Sequence, residues 1–210
     1  MCHERFFPGP AGELEGLLES DPDRGPVRLA VLVCHPHPRY GGTMRNKVVH
    51  HLARAARRAS AVVLRFNFRG VGQSRGQYDD GVGEQDDFRA AITFLAEQHP
   101  GLPLAGIGFS FGARVSLRGG CSDPRLERLI AVGLPAGSGD WSFLGRCARP
   151  KHFVHSTRDQ FGSRQQLEAV FRLAAEPKAL TWIEAEDHFF QGALDRLEEA
   201  VYEILRPAIH

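Results

Sequence analysis

A chain of 210 residues, 42% hydrophobic and 24% charged, has the length and composition of one soluble globular domain, spanning 1–210, with enough apolar material to close a core without disulfides or structural metals. A formal net charge of +1 gives no global pull toward nucleic acid or an anionic membrane. The start, Met1-Cys2-His3-Glu4-Arg5, has no apolar leader core, and no stretch reaches the roughly 18 apolar residues of a membrane span, so a cytoplasmic protein is expected.

Taken in chain order, Arg5–Phe7 and Glu13–Glu19 read as short strands joined at Pro8-Gly9-Pro10, an antiparallel edge. Val27–Cys34 is a β-branched run too short for a helix and bounded by turn formers, hence a buried strand. Val48, Leu52, Ala55 and Ala59 make a weak helical stripe, with Arg54, Arg57 and Arg58 on its solvated face. Ala61–Phe66 is the next strand, and Phe88, Ala91, Ile92 and Leu95 give the next helix at i, i+3, i+4, i+7 spacing. Strands follow at Leu102–Ile107, Leu129–Leu134, His152–His155 and Leu180–Ile183. Between the last two lies a stripe of Leu167, Val170, Phe171 and Ala174, fronted by a Ser163/Gln166 capping box. Leu194, Leu197, Val201, Ile204 and Leu205 form a final stripe that Pro207 stops. Strand alternating with helix, and strands apolar on both faces, predict an α/β fold with a mostly parallel sheet covered on both sides. The cysteines Cys2, Cys34, Cys121 and Cys147 show no C-x-x-C or zinc spacing and read as reduced thiols.

In such a sheet the reactive groups gather at the carboxyl ends of the strands. After Leu102–Ile107 comes Gly108-Phe109-Ser110-Phe111-Gly112, a G-x-S-x-G sequence between a strand and a helix start. A serine on so tight a turn presents its hydroxyl at the sheet's rim, and side chains two residues to either side would collide with the turn, hence glycine. Ser110 is the expected nucleophile, and the N–H of Phe111, opening a helix, faces developing negative charge.

A serine hydroxyl needs a base, and the base needs an orienting acid, in the chain order Ser, Asp or Glu, His. Of the downstream histidines, His152 and His155 lie inside a strand and His210 is the last residue, which leaves His188, between the last strand and the last helix. Asp159, at the carboxyl end of the His152–His155 strand, is the preferred acid, with Asp140 an open alternative and Asp187 disfavoured as His188's own neighbour. A second oxyanion donor should come from the loop His35-Pro36-His37-Pro38, where the prolines lack N–H groups and leave His37. A metal held by His35 and His37 is the rival reading, weak without carboxylate or cysteine partners. Tyr40, Phe109, Trp141, Phe161 and Phe189 lie beside these loops and are candidate substrate contacts, with a place in the core the equal alternative for each. The stretch from Leu134 to Pro150 has room for a short loop or one helix and no cap domain.

His35–Pro38 followed by Gly41-Gly42-Thr43-Met44-Arg45-Asn46-Lys47, then Asn67-Phe68-Arg69-Gly70-Val71-Gly72-Gln73-Ser74, the elbow Gly108–Gly112 and Asp187-His188-Phe189-Phe190 together resemble the small, lidless, dienelactone-hydrolase-like branch of the α/β-hydrolase superfamily. The resemblance runs from about Leu29 to Phe190 and implies an eight-stranded sheet, serine-dependent hydrolysis of small carboxylic esters or related thioesters and lactones, water as co-substrate, and no cofactor or metal. Ser110 stands where dienelactone hydrolase carries cysteine, and Ser156-Thr157-Arg158-Asp159 departs from the Gly-x-x-Asp that often carries the acid in that branch. Partners other than a small acyl substrate, nucleic acid and membrane among them, are not expected; oligomeric state stays open. Two rival readings are a catalytically silent binding protein on this fold and a dinucleotide-binding oxidoreductase built on Gly70, Gly72 and Gly76, one residue off the usual fingerprint and with no helix to follow.

Overall fold

The β-branched and apolar runs become strands. In the computed structural model, which describes residues 1–206, they are β1 (Cys2–Gly9), β2 (Gly12–Glu19), β3 (Leu29–Cys34), β4 (Ala61–Phe66), β5 (Leu104–Phe109), β6 (Leu126–Val132), β7 (Lys151–Ser156) and β8 (Lys178–Ile183). The helices are α1 (Lys47–Arg58), α2 (Gly83–Gln98), α3 (Phe111–Gly120), α4 (Arg164–Leu173) and α5 (Leu194–Leu205). Pro207 and His210 lie outside the described residues.

The strands form one eight-stranded sheet in the order β1-β2-β4-β3-β5-β6-β7-β8. β1 and β2 are an antiparallel hairpin, β2 joins β4 antiparallel, and every pairing from β4 to β8 is parallel. Every residue of β3, β4 and β5 is buried, as strands with helices on both faces require. Within them the two-residue alternation still sorts side chains. Ala30, Leu32, Val62 and Leu64 meet α2 and α3, whereas Val31, Val33, Val63 and Ile107 meet α1 and α5.

Local chemistry sets the helix starts. Asn46 caps α1 by accepting from the Val48 N–H, and Ser163 and Gln166 close the expected capping box on α4. Two expectations are corrected. The arginine face of α1 is not merely solvated. Arg57 donates to Glu19 at 2.8 Å and Arg58 to Glu199 at 2.8 Å, while Arg54 lies 3.5 Å from Glu198, so this face ties α1 to β2 and α5. The cysteines are not all free thiols either. Cys121, just past α3, is bonded to Cys147, which precedes β7, with Cα atoms 5.1 Å apart. The partners stand 26 residues apart, so no local spacing announces the pair. Cys34 is a buried free thiol and Cys2 an exposed one. Between β6 and β7 there is one short 3₁₀ helix, Ser142–Arg146, and no cap.

Candidate active site

Five loops at the carboxyl ends of the parallel strands enclose a cavity of about 400 Å³. Its floor is the β5–α3 turn. Ser110 takes φ 56° and ψ −117°, a conformation that costs a non-glycine residue on the order of 1–3 kcal/mol and persists only where the surroundings impose it. Both flanking glycines are required, and for different reasons. A Cβ on Gly108 would lie 2.2 Å from the Gly112 carbonyl oxygen, within the turn. A Cβ on Gly112 would lie 2.6 Å from the carbonyl oxygens of Cys34 and His35, at the end of the neighbouring β3. The second glycine therefore serves the approach of the first turn of α3 to the end of β3, which the motif alone does not reveal.

His188, in the loop between β8 and α5, reaches over the turn. Its Nδ1–H donates to Asp159 Oδ2 at 2.6 Å, and Nε2 makes no hydrogen bond among the described residues. The ring lies on Phe109, centroids 5.0 Å apart. Asp159 is almost wholly buried, and its other oxygen accepts the Phe161 and Gly162 N–H groups at 2.8 and 3.0 Å. Asp140, the alternative acid, is exposed and turned to Ser142. Asp187 accepts from Phe189 and Gln191 in its own turn. A second buried imidazole stands behind Asp159: His155 Nε2 donates to the Gly162 carbonyl at 2.7 Å and lies 3.5 Å from Asp159 Oδ2. Burial lowers the His155 pKa, against the opposing pull of the Asp159 carboxylate. The Ser110 hydroxyl and His188 line the same cavity. The hydroxyl makes no hydrogen bond among the described residues, and such bonds commonly tighten only when substrate arrives.

The backbone N–H groups of His37 and Phe111 donate to no group among the described residues, and both residues line the cavity. The loop that carries His37 is anchored from behind. His35 is buried and uses both ring nitrogens, donating from Nδ1 to the Pro36 carbonyl at 2.6 Å and accepting the Phe68 N–H on Nε2 at 3.1 Å. Burial pushes its pKa down to about 4. His37 accepts the Arg39 N–H on Nδ1 at 3.2 Å and meets the Tyr78 hydroxyl with Nε2 at 3.1 Å. With these nitrogens engaged, neither ring is free to hold a metal. His51, Asp195 and Glu198 also bring ligand atoms within 4.8 Å of one another, but Glu198 is already matched to His51, Arg54 and Arg58.

At the far end of the loop, Asn67 Oδ1 accepts the Met44 N–H at 2.8 Å, and Arg65 donates to the Met44 carbonyl at 2.9 Å. Asn67 in turn donates to Glu15 at 2.8 Å and Arg65 to Glu19 at 2.7 Å, two nearly buried acids of β2. This explains the Asn67–Ser74 sequence. Glu15 also accepts the Gln73 N–H, Ser74 bridges Asn67 and β2, and at Gly72 (φ 57°) a Cβ would lie 2.5 Å from both Asn67 and Glu15. The glycines read as a nucleotide fingerprint thus belong to a loop packed on β2, and the next helix opens only at Gly83.

Of the expected aromatic contacts, Tyr40, Phe161 and Phe189 line the cavity. Phe109 and Trp141 do not. Phe109 is fully buried beneath His188 against the α1 and α5 face, and Trp141 is buried on the α3 and α4 face beside Phe143. Nearness in sequence to a catalytic loop misled at both, because a residue on a strand or a short helix faces whichever way its pleat or turn dictates. The polar lining residues Asn46, Arg114 and Ser138 were not anticipated. Arg114 had a readable signal, standing in the first turn of the helix that follows Ser110.

A parallel sheet in this order, with a strained serine turn, a distal imidazole and a buried carboxylate at its rim, defines the hydrolase class of α/β proteins. Residues 29–200 match the family model described as an alpha/beta hydrolase domain, and the chain belongs to that family. It is similar to an uncharacterized protein of Rickettsia prowazekii, 33% identical over 210 residues that cover 95% of this chain and 87% of that one. Among solved structures it resembles an a/b serine hydrolase without lid from Xanthomonas campestris, at a TM-score of 0.91 and 33% identity, covering 100% of this chain and 97% of that one. An alpha-beta serine hydrolase homologue from Coxiella burnetii matches at a TM-score of 0.89 and 33% identity, over 97% of both chains. Among the described residues no helix is long and apolar enough to cross a membrane.

Proposed function

We propose that the protein is a serine hydrolase that cleaves small carboxylic esters, or kindred thioesters and lactones, through a Ser110-His188-Asp159 triad and an acyl-enzyme. The observation that carries this reading is the 2.6 Å bond from His188 Nδ1 to buried Asp159, at the rim of a cavity that Ser110 also lines. That bond fixes the tautomer in which Nε2 can accept a proton.

His188 Nε2 takes the Ser110 proton as Oγ bonds to the substrate carbonyl carbon and the carbonyl electron pair moves onto oxygen. The His37 and Phe111 N–H groups receive that oxyanion, and Asp159 stabilises the imidazolium. When the tetrahedral adduct collapses, the bond to the leaving oxygen or sulfur breaks and that atom takes the proton from His188. Water, deprotonated by the same nitrogen, then attacks the acyl-enzyme carbonyl; the acyl–Oγ bond breaks, Ser110 Oγ takes that proton back from His188, and the acid is released.

The test is a p-nitrophenyl ester chain-length panel run on wild type, Ser110→Ala and Asp159→Asn. Loss of the nucleophile should lower kcat by about 10⁶, as in other triads. Asp159→Asn should cost about 10⁴, because the amide favours the wrong imidazole tautomer. A fluorophosphonate probe should label wild type at Ser110 and leave Ser110→Ala unlabelled. Turnover surviving in Ser110→Ala would end the proposal.

A further inference from the structure

The triad needs only a carbonyl, yet the cavity holds a charge that the triad does not use. Arg114 lines it from α3, half-buried, and its amide N–H bonds to the Ser110 carbonyl at 3.2 Å. Ser110 caps α3 from outside it and Arg114 stands in the helix's first turn, and both residues line the cavity. The guanidinium is held in place. One nitrogen donates to the Asp80 backbone carbonyl at 3.2 Å, and the group lies 5.5 Å from the Phe111 ring centre. It also packs on Gly81, where a Cβ would stand 2.9 Å from Nη2.

Among the described residues the group has no counter-ion. Arg65 and Arg69 each meet a buried carboxylate, at 2.7 and 2.8 Å. Arg114 has no carboxylate oxygen within 4.0 Å among the described residues, and no Asp or Glu lines the cavity. The Asp80 side chain raises the pKa of nearby His37, but it makes no ion pair with Arg114, whose charge lowers the same pKa. A fixed, unmatched guanidinium on the wall of a catalytic cavity is suited to a planar anion that can accept two parallel N–H bonds.

Resting on the serine-hydrolase reading above, we propose that Arg114 is a specificity residue that receives a carboxylate carried by the substrate, so that the preferred esters are monoanions of the half-ester kind. A carboxylate on the acyl side and one on the alcohol side present the same chemistry to Arg114, and the assay separates them. One arm compares p-nitrophenyl hydrogen glutarate with neutral p-nitrophenyl hexanoate; the other compares carboxymethyl butyrate with ethyl butyrate. In at least one arm wild type should favour the anion in kcat/KM by about tenfold, the worth of one charge-assisted contact. Arg114→Gln should bring that ratio close to one and Arg114→Lys should keep part of it. The wild-type ratio, which needs no variant to fold, should shrink as salt rises from about 0.01 to about 0.5 M and the screening length contracts. A wild-type enzyme that is active but indifferent to the carboxylate in both arms, or a ratio unchanged in Arg114→Gln, overturns the assignment while leaving the hydrolase reading intact. A wild type inert toward every ester and unlabelled at Ser110 overturns that reading, and this assignment with it.

Discussion

Replacing Asn67 by alanine probes how the loop that carries His37 is held. Asn67 makes no contact with the cavity, yet its side chain bonds the buried Met44 N–H at 2.8 Å and Glu15 at 2.8 Å. The truncation leaves the Met44 donor without an acceptor, at about 1–3 kcal/mol, and removes the hydrogen bond to Glu15, at about 0.5–1.5 kcal/mol. The two together amount to about 1.5–4.5 kcal/mol, a large share of the 5–15 kcal/mol typical of a folded domain. Asn67→Asp should be worse at neutral pH, because it sets a second carboxylate against Glu15. Urea unfolding followed by circular dichroism reads the stability, and ester turnover at a temperature where the variant is folded reads the loop. A slack loop displaces the His37 donor, and an ångström of misplacement can cost about a hundredfold in rate, so kcat should fall more than KM rises. A stability loss below about 1 kcal/mol together with unchanged kcat would refute the anchoring argument.

Two further outcomes follow from the same structure. His35 is neutral and fully buried in the folded chain, with its pKa lowered from 6.5 to about 4, so the unfolded chain binds the extra proton between those values. The stabilisation is therefore complete above about pH 6.5 and is lost as pH falls to about 4, worth about 3 kcal/mol over that window. His35→Gln should flatten the pH dependence of unfolding there, and curves parallel to wild type would contradict it. Opening the Cys121–Cys147 bond, by reductant or by Cys121→Ser with Cys147→Ser, releases a 26-residue loop and should lower stability by about 3 kcal/mol. An unfolding midpoint indifferent to reductant would count against that figure.

The elements were legible because their signals are local. β4 matches its β-branched run to the residue, and the Ser163/Gln166 box marks the start of α4. The nucleophile and base candidates were legible because the G-x-S-x-G turn and a histidine after the last strand are tied to strand ends. Between Asp159 and Asp140 the sequence offered only position, whereas the structure brings Asp159 alone to His188. What escaped depends on which strands become neighbours. The acids that hold Asn67 and Arg65 lie on β2, and nothing in their own sequence says that β2 will pair with β4. The Cys121–Cys147 bond and the inward turn of Trp141 likewise depend on how α3 meets the β6–β7 connection.

The bonds from Glu15 to Asn67 and from Glu19 to Arg65 span 52 and 46 residues. During synthesis the hairpin therefore leaves the ribosome carrying two acids whose partners have yet to be made, and those acids wait in water until β4 arrives. A fusion or truncation that disturbs the first twenty residues would leave Ser110, His188 and Asp159 chemically untouched and still slacken the wall opposite them, so damage at the amino end would register as a defect of catalysis.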